Sequence, residues 1–394
     1  MSRARPARIG LNAQLLSFAG SYRQAGVSRY IAELVRAFAT DVTAGPADDV
    51  VVFAGPRARS RLAGQQVRWR YSRLPTERPP VRIVWEQTAG PVMAWREHLD
   101  LWHGPVNVLP LALPCPGVVT IHDLAFLAYA GAHGAGRRGY LSALTALSAR
   151  RAARIIAVSS FTRDEIVRRL GVSPAKVTVV PNAADPAFQP LPADEVRRFR
   201  AAQRLPDQMI LAVGTLEPRK NLTGLLDAFA RLAPRTDAEL VIAGGKGWLY
   251  DPVFARVEAL GLAGRVRFTD YIPDADLPLW YNAAEAFVYP SLYEGFGLPP
   301  LEALACGTPT VTSDQSSLPE VVGDAALVVD MRDPDALAAA LARLLAEPAL
   351  RAELRQRGPR RAAGFSWART AAATRAVYDD VLARRARARP APAR

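Results

Sequence analysis

The sequence predicts an α/β protein in which two Rossmann-like, doubly wound domains follow one another and face a shared cleft. Three observations support this prediction. With 394 residues, the chain exceeds what a single hydrophobic core usually supports. Short β-branched apolar runs alternate with amphipathic stretches, and this alternation restarts near the middle of the chain. Between the two halves, prolines interrupt regular structure around 182–207.

The first half begins with a strand directly after Arg8, whose apolar residues are soon interrupted by Asn12 and Gln14. Further β-branched runs predict strands at 49–54, 118–121, 154–158 and 177–180. Apolar residues at helical spacing predict helices at 27–39 and 138–153. This order is typical of a parallel sheet covered by helices.

The second half repeats the pattern. Strands are predicted at 209–213, 239–243, 266–268, 286–289 and 310–312, with helices between them. From residue 336 onward the chain is rich in Ala, Leu and Arg and is predicted to be mostly helical, and from Arg384 its Arg, Ala and Pro composition predicts a disordered tail. The predicted domains are therefore 1–190 and 191–370, followed by a helix and tail at 371–394.

Composition excludes several classes of protein. The two cysteines, Cys115 and Cys306, lie far apart, which argues against a disulfide framework or a zinc site and fits a reducing, cytoplasmic compartment. No uncharged apolar run approaches the roughly 20 residues that span a bilayer, and no signal peptide is evident. Any membrane contact is therefore expected to be peripheral.

Positive charge is concentrated in the first half. Residues 1–190 hold 24 Lys and Arg against 12 Asp and Glu, whereas residues 191–394 hold 26 against 25. This excess favours an anionic partner, such as a lipid headgroup, a lipid diphosphate or a nucleic acid. The alternative interpretation is an Arg-rich solvated surface.

The densest group of chemically informative residues lies at 289–311, where a predicted strand enters a loop that holds Glu294 and Gly297 and then a helix that begins near Pro299. A helix N-terminus behind a Gly-containing loop favours phosphate. Glu294 and Glu302 would repel phosphate, so we expect them to accept hydrogen bonds from ribose and sugar hydroxyls. The alternative is two glutamates on a solvated helix.

A second group follows the strand at 209–213. This loop carries Arg219 and Lys220, which can place two cations over a leaving diphosphate and stabilise its developing charge. In the first half, His122 and Asp123 follow the strand at 118–121, at the end of the sheet where ligands bind. His103 is a lesser rival, and either histidine could instead belong to the core.

These motifs resemble glycosyltransferase family 4, retaining enzymes of the GT-B fold. The resemblance covers nearly the whole chain, is strongest at 210–330 and points to bacterial mannosyltransferases of cell-surface glycan assembly. It implies an acceptor-side domain at 1–190 and a nucleotide-sugar domain at 191–370. The activity that it implies is transfer of a hexose, with mannose favoured, from a nucleoside diphosphate sugar such as GDP-mannose to a glycan or lipid-linked acceptor.

The resemblance also implies roles for individual residues. Glu302 is expected to hold the ribose, and Glu294 and His122 the transferred sugar, with Asp123 a weaker candidate. The remaining expected donor-site residues are Gly26, Arg219, Lys220, Tyr271, Ile272, Phe296, Gly297 and Leu298. Ser28 stands where the family has a second glycine after Gly26. No cofactor or metal ion is expected, because Asp274 and Asp276 precede a helix start, where Asp commonly caps.

Two other functions stay open. A sugar-nucleotide epimerase can use the same architecture, whereas a phosphorylase needs a pyridoxal lysine and the chain has only Lys176, Lys220 and Lys246. A basic nucleic-acid-binding protein is the alternative from another class. No aromatic-interleaved basic motif supports nucleic-acid binding.

Overall fold

The computed structural model describes residues 6–16, 26–40, 49–56, 58, 67–128 and 135–388. The chain forms two compact units. The first unit comprises Met1–Asn182 together with Trp367–Arg394, and the second comprises Ala183–Ser366. These bounds correct the predicted boundaries at 190 and 370, because the C-terminal segment returns to the first unit.

The first unit contains a seven-stranded parallel sheet in the order β3-β2-β1-β4-β5-β6-β7. Its strands are β1 (Arg8–Ala13), β2 (Asp49–Ala54), β3 (Arg68–Tyr71), β4 (Leu101–Gly104), β5 (Gly117–Ile121), β6 (Arg154–Ala157) and β7 (Val177–Val179). Its helices are α1 (Val27–Thr40), α2 (Pro79–Gln87), α3 (Ala89–Arg96), α4 (Ala125–Ala128), α5 (Ala135–Arg151) and α6 (Ser160–Leu170). The central strands are buried because helices cover the sheet, which explains their continuous apolar runs.

The second unit contains a six-stranded parallel sheet in the order β10-β9-β8-β11-β12-β13. Its strands are β8 (Met209–Val213), β9 (Glu239–Ala243), β10 (Val266–Phe268), β11 (Ala286–Tyr289), β12 (Thr310–Ser313) and β13 (Leu327–Val329). Its helices are α7 (Ala193–Gln203), α8 (Leu222–Leu232), α9 (Asp251–Ala259), α10 (Leu277–Ala283), α11 (Leu298–Ala305), α12 (Leu318–Val322), α13 (Pro334–Ala346) and α14 (Pro348–Ala362). This strand order is that of the Rossmann fold.

The predicted strands and the α/β class are confirmed, and three strands were missed. β3 has the sequence Arg-Trp-Arg-Tyr, in which two arginines hide the strand signal. β4 is fully buried although it contains His103. β13 is a three-residue edge strand, too short for a clear pattern.

The predicted disordered tail is wrong for the described part of the C-terminus. The last helix, α15 (Trp367–Ala388), continues beyond Arg384. Arg384 Nε donates to Asp380 Oδ1 at 2.9 Å, and Arg385 Nη1 donates to the Asp100 carbonyl at 2.7 Å. Because α15 has a buried face against the first unit, packing outweighs the composition of its last turn. Residues 389–394 lie outside the described residues.

Candidate active site

The main polar site of the second unit lies at the carboxyl ends of β8 and β11. β8 pairs with β9 on one side and with β11 on the other, so the strand order reverses between β8 and β11. Loops that leave neighbouring strands in opposite directions open a crevice at this point, where Rossmann-like sheets bind ligands. The fold therefore brings the two predicted loops, 214–221 and 290–297, to one place.

The β8 loop is held tightly against the end of β9. Gly244 lies so close to it that a Cβ at this position would stand 1.9 Å from the Gly214 carbonyl oxygen. The loop then makes a short 3₁₀ turn over Pro218–Lys220 and enters α8. The Arg219 carbonyl accepts a hydrogen bond from Leu292 N at 2.9 Å, which ties this loop to the one after β11.

One carboxylate oxygen, Oε1 of Glu294, is the centre of the site. It accepts hydrogen bonds from Lys220 Nζ at 2.5 Å and from Arg219 Nη1 at 2.7 Å. The hydroxyls of Ser291 and Tyr289 donate to the same oxygen at 2.6 and 3.0 Å. Arg219 Nε also lies 2.5 Å from Glu217 Oε1. Both predicted cations are thus fixed side by side.

Charge compensation sets the protonation of this cluster. Burial acts to raise the pKa of the Glu294 carboxyl, but the adjacent Arg219 and Lys220 outweigh it and lower this pKa to about 2. Burial, followed by the charge of Arg219, lowers the pKa of Lys220. Burial, followed by the charge of Glu294, raises the pKa of Tyr289. At neutral pH, Glu294 is therefore a carboxylate and Tyr289 is a neutral donor.

The loop after Glu294 is shaped by Gly297, which has a φ of 106° in the left-handed region and precedes α11. A Cβ at this position would stand 2.6 Å from Leu318 Cδ2. Ser317 Oγ donates to the carbonyls of Glu294 and Phe296 at 3.0 and 2.8 Å. These contacts fix the turn that presents the start of α11.

The donors at the start of α11 differ from the sequence prediction. Pro299 and Pro300 have no amide hydrogen, so the first turn offers fewer donors than a helix N-terminus usually does. Leu298 is thus the one residue among the first three of α11 that carries an amide hydrogen. The backbone positions predicted to contact the ligand, Phe296, Gly297 and Leu298, lie at this entry to the helix.

Glu302 lies on α11 and is buried, as Glu294 is. Its Oε2 accepts a hydrogen bond from the Tyr281 hydroxyl of α10 at 3.1 Å. The alternative that both glutamates lie on a solvated helix is therefore wrong. Glu294 is held by cations and Glu302 by a tyrosine, so the two carboxylates have different surroundings.

Tyr271 and Ile272 follow β10, beyond a turn at Asp270 with a φ of 55°. The Asp270 carbonyl accepts from Gly244 N at 2.8 Å, which joins this segment to the end of β9.

Asp276 occupies the N-cap position of α10, although its side chain makes no capping hydrogen bond. Within the described part of the chain, no group of three His, Cys, Asp or Glu side chains is arranged to hold a metal ion.

In the first unit, His122 and Asp123 follow β5 at its carboxyl end. His122 Nε2 donates to the Pro105 carbonyl at 2.8 Å, which assigns the ring proton to Nε2 in the neutral imidazole. The ring packs edge-on against Tyr30 at 4.8 Å between centroids. Burial lowers the pKa of His122. The Asp123 carboxylate accepts from Ala125 N at 3.0 Å and thus has a local structural role at the start of α4.

His103 is a core histidine. Its Nδ1 lies 2.7 Å from the Tyr378 hydroxyl of α15, and its Nε2 lies 2.8 Å from Thr120 Oγ1. Thr120 Oγ1 in turn lies 3.1 Å from the Tyr30 hydroxyl.

Gly26 precedes α1 with a φ of 37°, and its carbonyl accepts from Tyr30 N at 2.9 Å. Gly26 therefore starts α1 at the carboxyl end of β1.

Sequence reasoning missed two sets of residues. Tyr289 and Ser291 surround the Glu294 carboxylate and stand in the motif itself, so their position at the end of a strand could have identified them.

The second set is a buried polar chain at the end of β1. Asn12 Nδ2 donates to Glu86 Oε1 at 2.9 Å, and Thr76 Oγ1 donates to Gln14 Oε1 at 2.6 Å.

Two family models match the two halves of the chain. The model described as "Glycosyltransferase Family 4" matches residues 25–188, and "Glycosyl transferases group 1" matches residues 194–361. GT-B glycosyltransferases consist of two Rossmann-like units and have a polar crevice where the strand order of a sheet reverses.

Similar curated proteins support the same class. The O-antigen chain mannosyltransferase B of Escherichia coli is 39% identical over 280 residues, which cover 70% of this chain and 73% of that protein. The MMP alpha-(1->4)-mannosyltransferase of Mycolicibacterium hassiacum is 38% identical, with 60% and 56% covered. The serotype-specific mannosyltransferase WbdA of Escherichia coli is 32% identical, and the match spans only 28% of its length. The chain belongs to glycosyltransferase family 4.

Solved structures show the same fold. Sucrose-phosphate synthase from Thermosynechococcus elongatus superposes with a TM-score of 0.79 at 24% identity and covers 96% of this chain and 100% of its own. Anabaena HepE, in complex with UDP and glucose, has a TM-score of 0.73 at 18% identity and covers 94% and 99%. The predicted family and fold are thus confirmed. Among the described residues, no helix is both long and apolar enough to cross a bilayer.

Proposed function

We propose that this glycosyltransferase transfers a hexose, with mannose favoured, from a nucleoside diphosphate sugar to a glycan or lipid-linked acceptor in cell-surface polysaccharide assembly. GDP-mannose is the proposed donor, and the reaction needs no metal ion. One observation carries this proposal. Arg219 and Lys220 both donate hydrogen bonds to the Glu294 carboxylate, at the place where the strand order of the second sheet reverses. The mannosyltransferases among the relatives support the sugar, and the UDP complex of HepE agrees with a nucleotide donor.

The proposed roles follow the chemistry of each group. Arg219 and Lys220 bind the diphosphate, together with the amides of 296–298, and stabilise the charge that develops as the leaving group departs. Glu294 holds the two cations in position and reaches a sugar hydroxyl through its carboxylate. Glu302 accepts from the ribose hydroxyls, and the segment at Tyr271 and Ile272 lines the base.

Transfer with retention requires the acceptor to approach on the face that the diphosphate leaves. The acceptor oxygen forms a bond to the anomeric carbon as the bond from that carbon to the diphosphate oxygen breaks. The acceptor proton passes to the departing diphosphate, so no protein nucleophile is needed. His122, which is neutral and held by Pro105, is proposed to contact the transferred sugar from the first unit.

The test has two arms. Thermal shift with GDP-, UDP-, dTDP- and ADP-sugars should show selective stabilisation by the GDP-sugar, since a ligand that binds only the folded state raises apparent stability. Transfer from GDP-mannose to a mannoside should then proceed in the presence of EDTA. Wild-type transfer rates in Glu294→Ala, Arg219→Ala and Lys220→Ala would refute these site roles. Conversion of the donor without an acceptor, seen by NMR, would instead indicate an epimerase.

A further inference from the structure

The loop that follows β9, at 244–250, is bonded through its backbone to the loop that follows β8. Leu216 N donates to the Gly245 carbonyl at 3.0 Å, and Gly247 N donates to the Leu216 carbonyl at 3.2 Å. A Cβ on Gly247 would stand 2.7 Å from the Leu216 carbonyl oxygen, so a glycine permits this close approach. The two loops therefore hold the side chains that they carry in a fixed relation.

Trp248 of the β9 loop contacts Glu217 of the β8 loop. The indole Nε1 of Trp248 donates to Glu217 Oε2 at 3.1 Å. The other carboxylate oxygen, Oε1, lies 2.5 Å from Arg219 Nε. Oε1 is buried and accepts no aligned hydrogen bond within the described part of the chain, so compensation of its charge depends on Arg219.

The lysine of the β9 loop, Lys246, is directed to other groups. Its Nζ lies 5.4 Å from the centre of the Tyr250 ring and 5.5 Å from that of Phe254, within the range of cation–π contact. Glu217 consequently pairs with the arginine of its own loop and not with the lysine of the next one.

Arg219 is held at two of its three guanidinium nitrogens. Glu217 lies at Nε, whereas Nη1 donates to Glu294 Oε1 at 2.7 Å and to the Tyr293 carbonyl at 2.9 Å. Because the guanidinium is planar and rigid, contacts at two nitrogens fix its orientation as well as its position.

The two cations and two carboxylates of this cluster sum to no net charge. Arg219 and Lys220 are positive, and Glu217 and Glu294 are negative. Burial and Arg219 lower the pKa of Lys220, whereas Glu294 and Glu217 act in the opposite direction, so the charge of Glu217 acts on both cations. A second carboxylate beside an anion site weakens the attraction of that site for a diphosphate. Any contribution of Glu217 to catalysis therefore comes from orienting Arg219.

We propose that Glu217, anchored by Trp248, is a positioning residue that fixes the Arg219 guanidinium where charge develops on the leaving diphosphate. This role rests on the proposed function, which brings the diphosphate to Arg219. Fixed charges stabilise a transition state because they need no reorganisation as the reaction proceeds. Glu217 thus weakens binding of the diphosphate in the ground state and increases the rate of transfer, and it does not itself contact the donor.

The first test compares kcat with GDP affinity in Glu217→Gln. With GDP-mannose as donor, kcat should fall by about tenfold or more, because Arg219 is no longer held in the productive geometry. The Kd of GDP, measured by calorimetry at low salt, should fall by about threefold or more, since one negative charge is removed from the site. Loss of a merely structural residue would instead lower both kcat and GDP affinity.

Trp248→Phe removes the indole donor and keeps an aromatic ring. We expect kcat to fall by about fivefold, the effect of one net hydrogen bond, while the Kd of GDP stays unchanged because no charge is altered. The double variant Glu217→Gln with Trp248→Phe should be no slower than Glu217→Gln alone, since Trp248 acts through Glu217. Glu258→Gln is the matched control, because it removes one carboxylate from the exposed side of α9 and should leave kcat and the Kd of GDP unchanged.

Each of three outcomes would overturn the proposal. Tighter GDP binding by Glu217→Gln at the wild-type kcat would show that Glu217 acts only as a charge. Parallel losses of kcat and GDP affinity in this variant would indicate a structural role. Additive losses in the double variant would show that Trp248 does not act through Glu217.

Indole NMR distinguishes failure of this proposal from failure of the proposed function, because it requires no transfer. The protein has seven tryptophans, and Trp248→Phe identifies the Nε1–H resonance of Trp248. This resonance should move in Glu217→Gln while the other six stay in place, and an unmoved resonance would overturn the proposal whatever the activity. A wild type without transfer from GDP-mannose would refute the proposed function. The role of Glu217 would then stand or fall on this displacement and on tighter binding of inorganic pyrophosphate by Glu217→Gln.

Discussion

At the scale of single residues, the most informative atom is the Glu294 oxygen on which two cations and two hydroxyls converge. Removing one partner from a buried charge cluster leaves the others uncompensated, and such losses are large. Arg219 and Lys220 therefore need a negative partner whether or not a ligand is bound. In the proposed reaction, a diphosphate shares that role.

We expect Glu294→Gln to lower the free energy of unfolding by about 3–5 kcal/mol, because the amide keeps the shape of the side chain but leaves Arg219 and Lys220 without their carboxylate. Adding GDP should raise the melting temperature of this variant more than that of wild type, since phosphate replaces the missing negative charge. Denaturant unfolding and thermal shift measure both effects.

Glu347→Gln is the matched control. Glu347 pairs with Arg343 on the exposed side of α13, so its loss should leave the free energy of unfolding almost unchanged. Equal stability of Glu294→Gln and wild type would show that the buried cluster is not charge-coupled as described.

His122 gives a second prediction at this scale. Burial lowers its pKa, so its imidazole should stay neutral across pH 6.5–8 and the transfer rate should show no inflection from this group there. His122→Ala removes the Nδ1 acceptor that the bond from Nε2–H to Pro105 leaves for a sugar hydroxyl. We expect kcat to fall by about a hundredfold, the lower end of the loss for a preorganised oxyanion-hole donor, while the donor KM changes little. An inflection near pH 6.5 that disappears in His122→Ala would contradict the assigned protonation.

At the scale of elements, the start of α11 depends on one backbone conformation. Gly297→Ala places a methyl group against Leu318 and forces an alanine into a left-handed φ. We expect a loss of about 2–4 kcal/mol in stability from these two effects together and a weaker response to GDP. Urea unfolding measures the first effect, and thermal shift with GDP measures the second.

Gly264→Ala isolates the backbone effect. Gly264 has a φ of 84°, but a Cβ there meets no heavy atom within 4 Å. This variant should lose only about 1–2 kcal/mol and should keep its response to GDP. If both glycine variants behaved alike, the close approach to Leu318 would have no energetic consequence.

At the scale of the whole molecule, the first unit is built from two distant segments of the chain. α15 carries Tyr378 to the His103 side chain of β4, and Arg154 of β6 is paired with Asp380 of the same helix. The first unit therefore requires the end of the chain for its buried hydrogen bonds.

Acid should weaken the two units in different pH windows. Burial, with a smaller effect of His122, lowers the pKa of His103 to about 3, whereas in the unfolded chain this side chain has its usual pKa of 6.5. Between these two values only the unfolded chain takes up the proton, so the free energy of unfolding of the first unit falls as the pH drops below 6.5. The pKa of Glu294 is about 2 in the folded protein and has its usual value of 4.5 in the unfolded chain. The contribution of this carboxylate to the stability of the second unit is therefore lost only as the pH falls below 4.5. Between pH 6.5 and 4.5, the first unit should therefore weaken more than the second.

Hydrogen exchange, corrected for intrinsic rates, can report this difference through peptides from β4 and β5 and from β11 and β12. His103→Gln should reduce the pH dependence of β4 and β5 in this range. A parallel loss of protection in both units, unaffected by His103→Gln, would contradict the prediction.

Much of this protein could be predicted from local sequence. The alternation of apolar runs identified most strands of both sheets, because side-chain periodicity is set by neighbouring residues. The spacing of Glu294 and Glu302 and the Arg219–Lys220 loop likewise identified the family. The disordered tail was wrong because composition near Arg384 says nothing about the surface that α15 packs against.

Other features depended on the tertiary structure. The contact between His103 and Tyr378 joins residues 275 positions apart, and the contact between Lys220 and Glu294 joins residues 74 apart. No local pattern specifies such pairs, because they exist only once the sheets have brought strand ends and helices together. The sequence by itself thus determined the strand and helix order and the chemistry of the two motifs. Folding decided that one carboxylate oxygen binds both cations, and that the C-terminal helix completes the first unit.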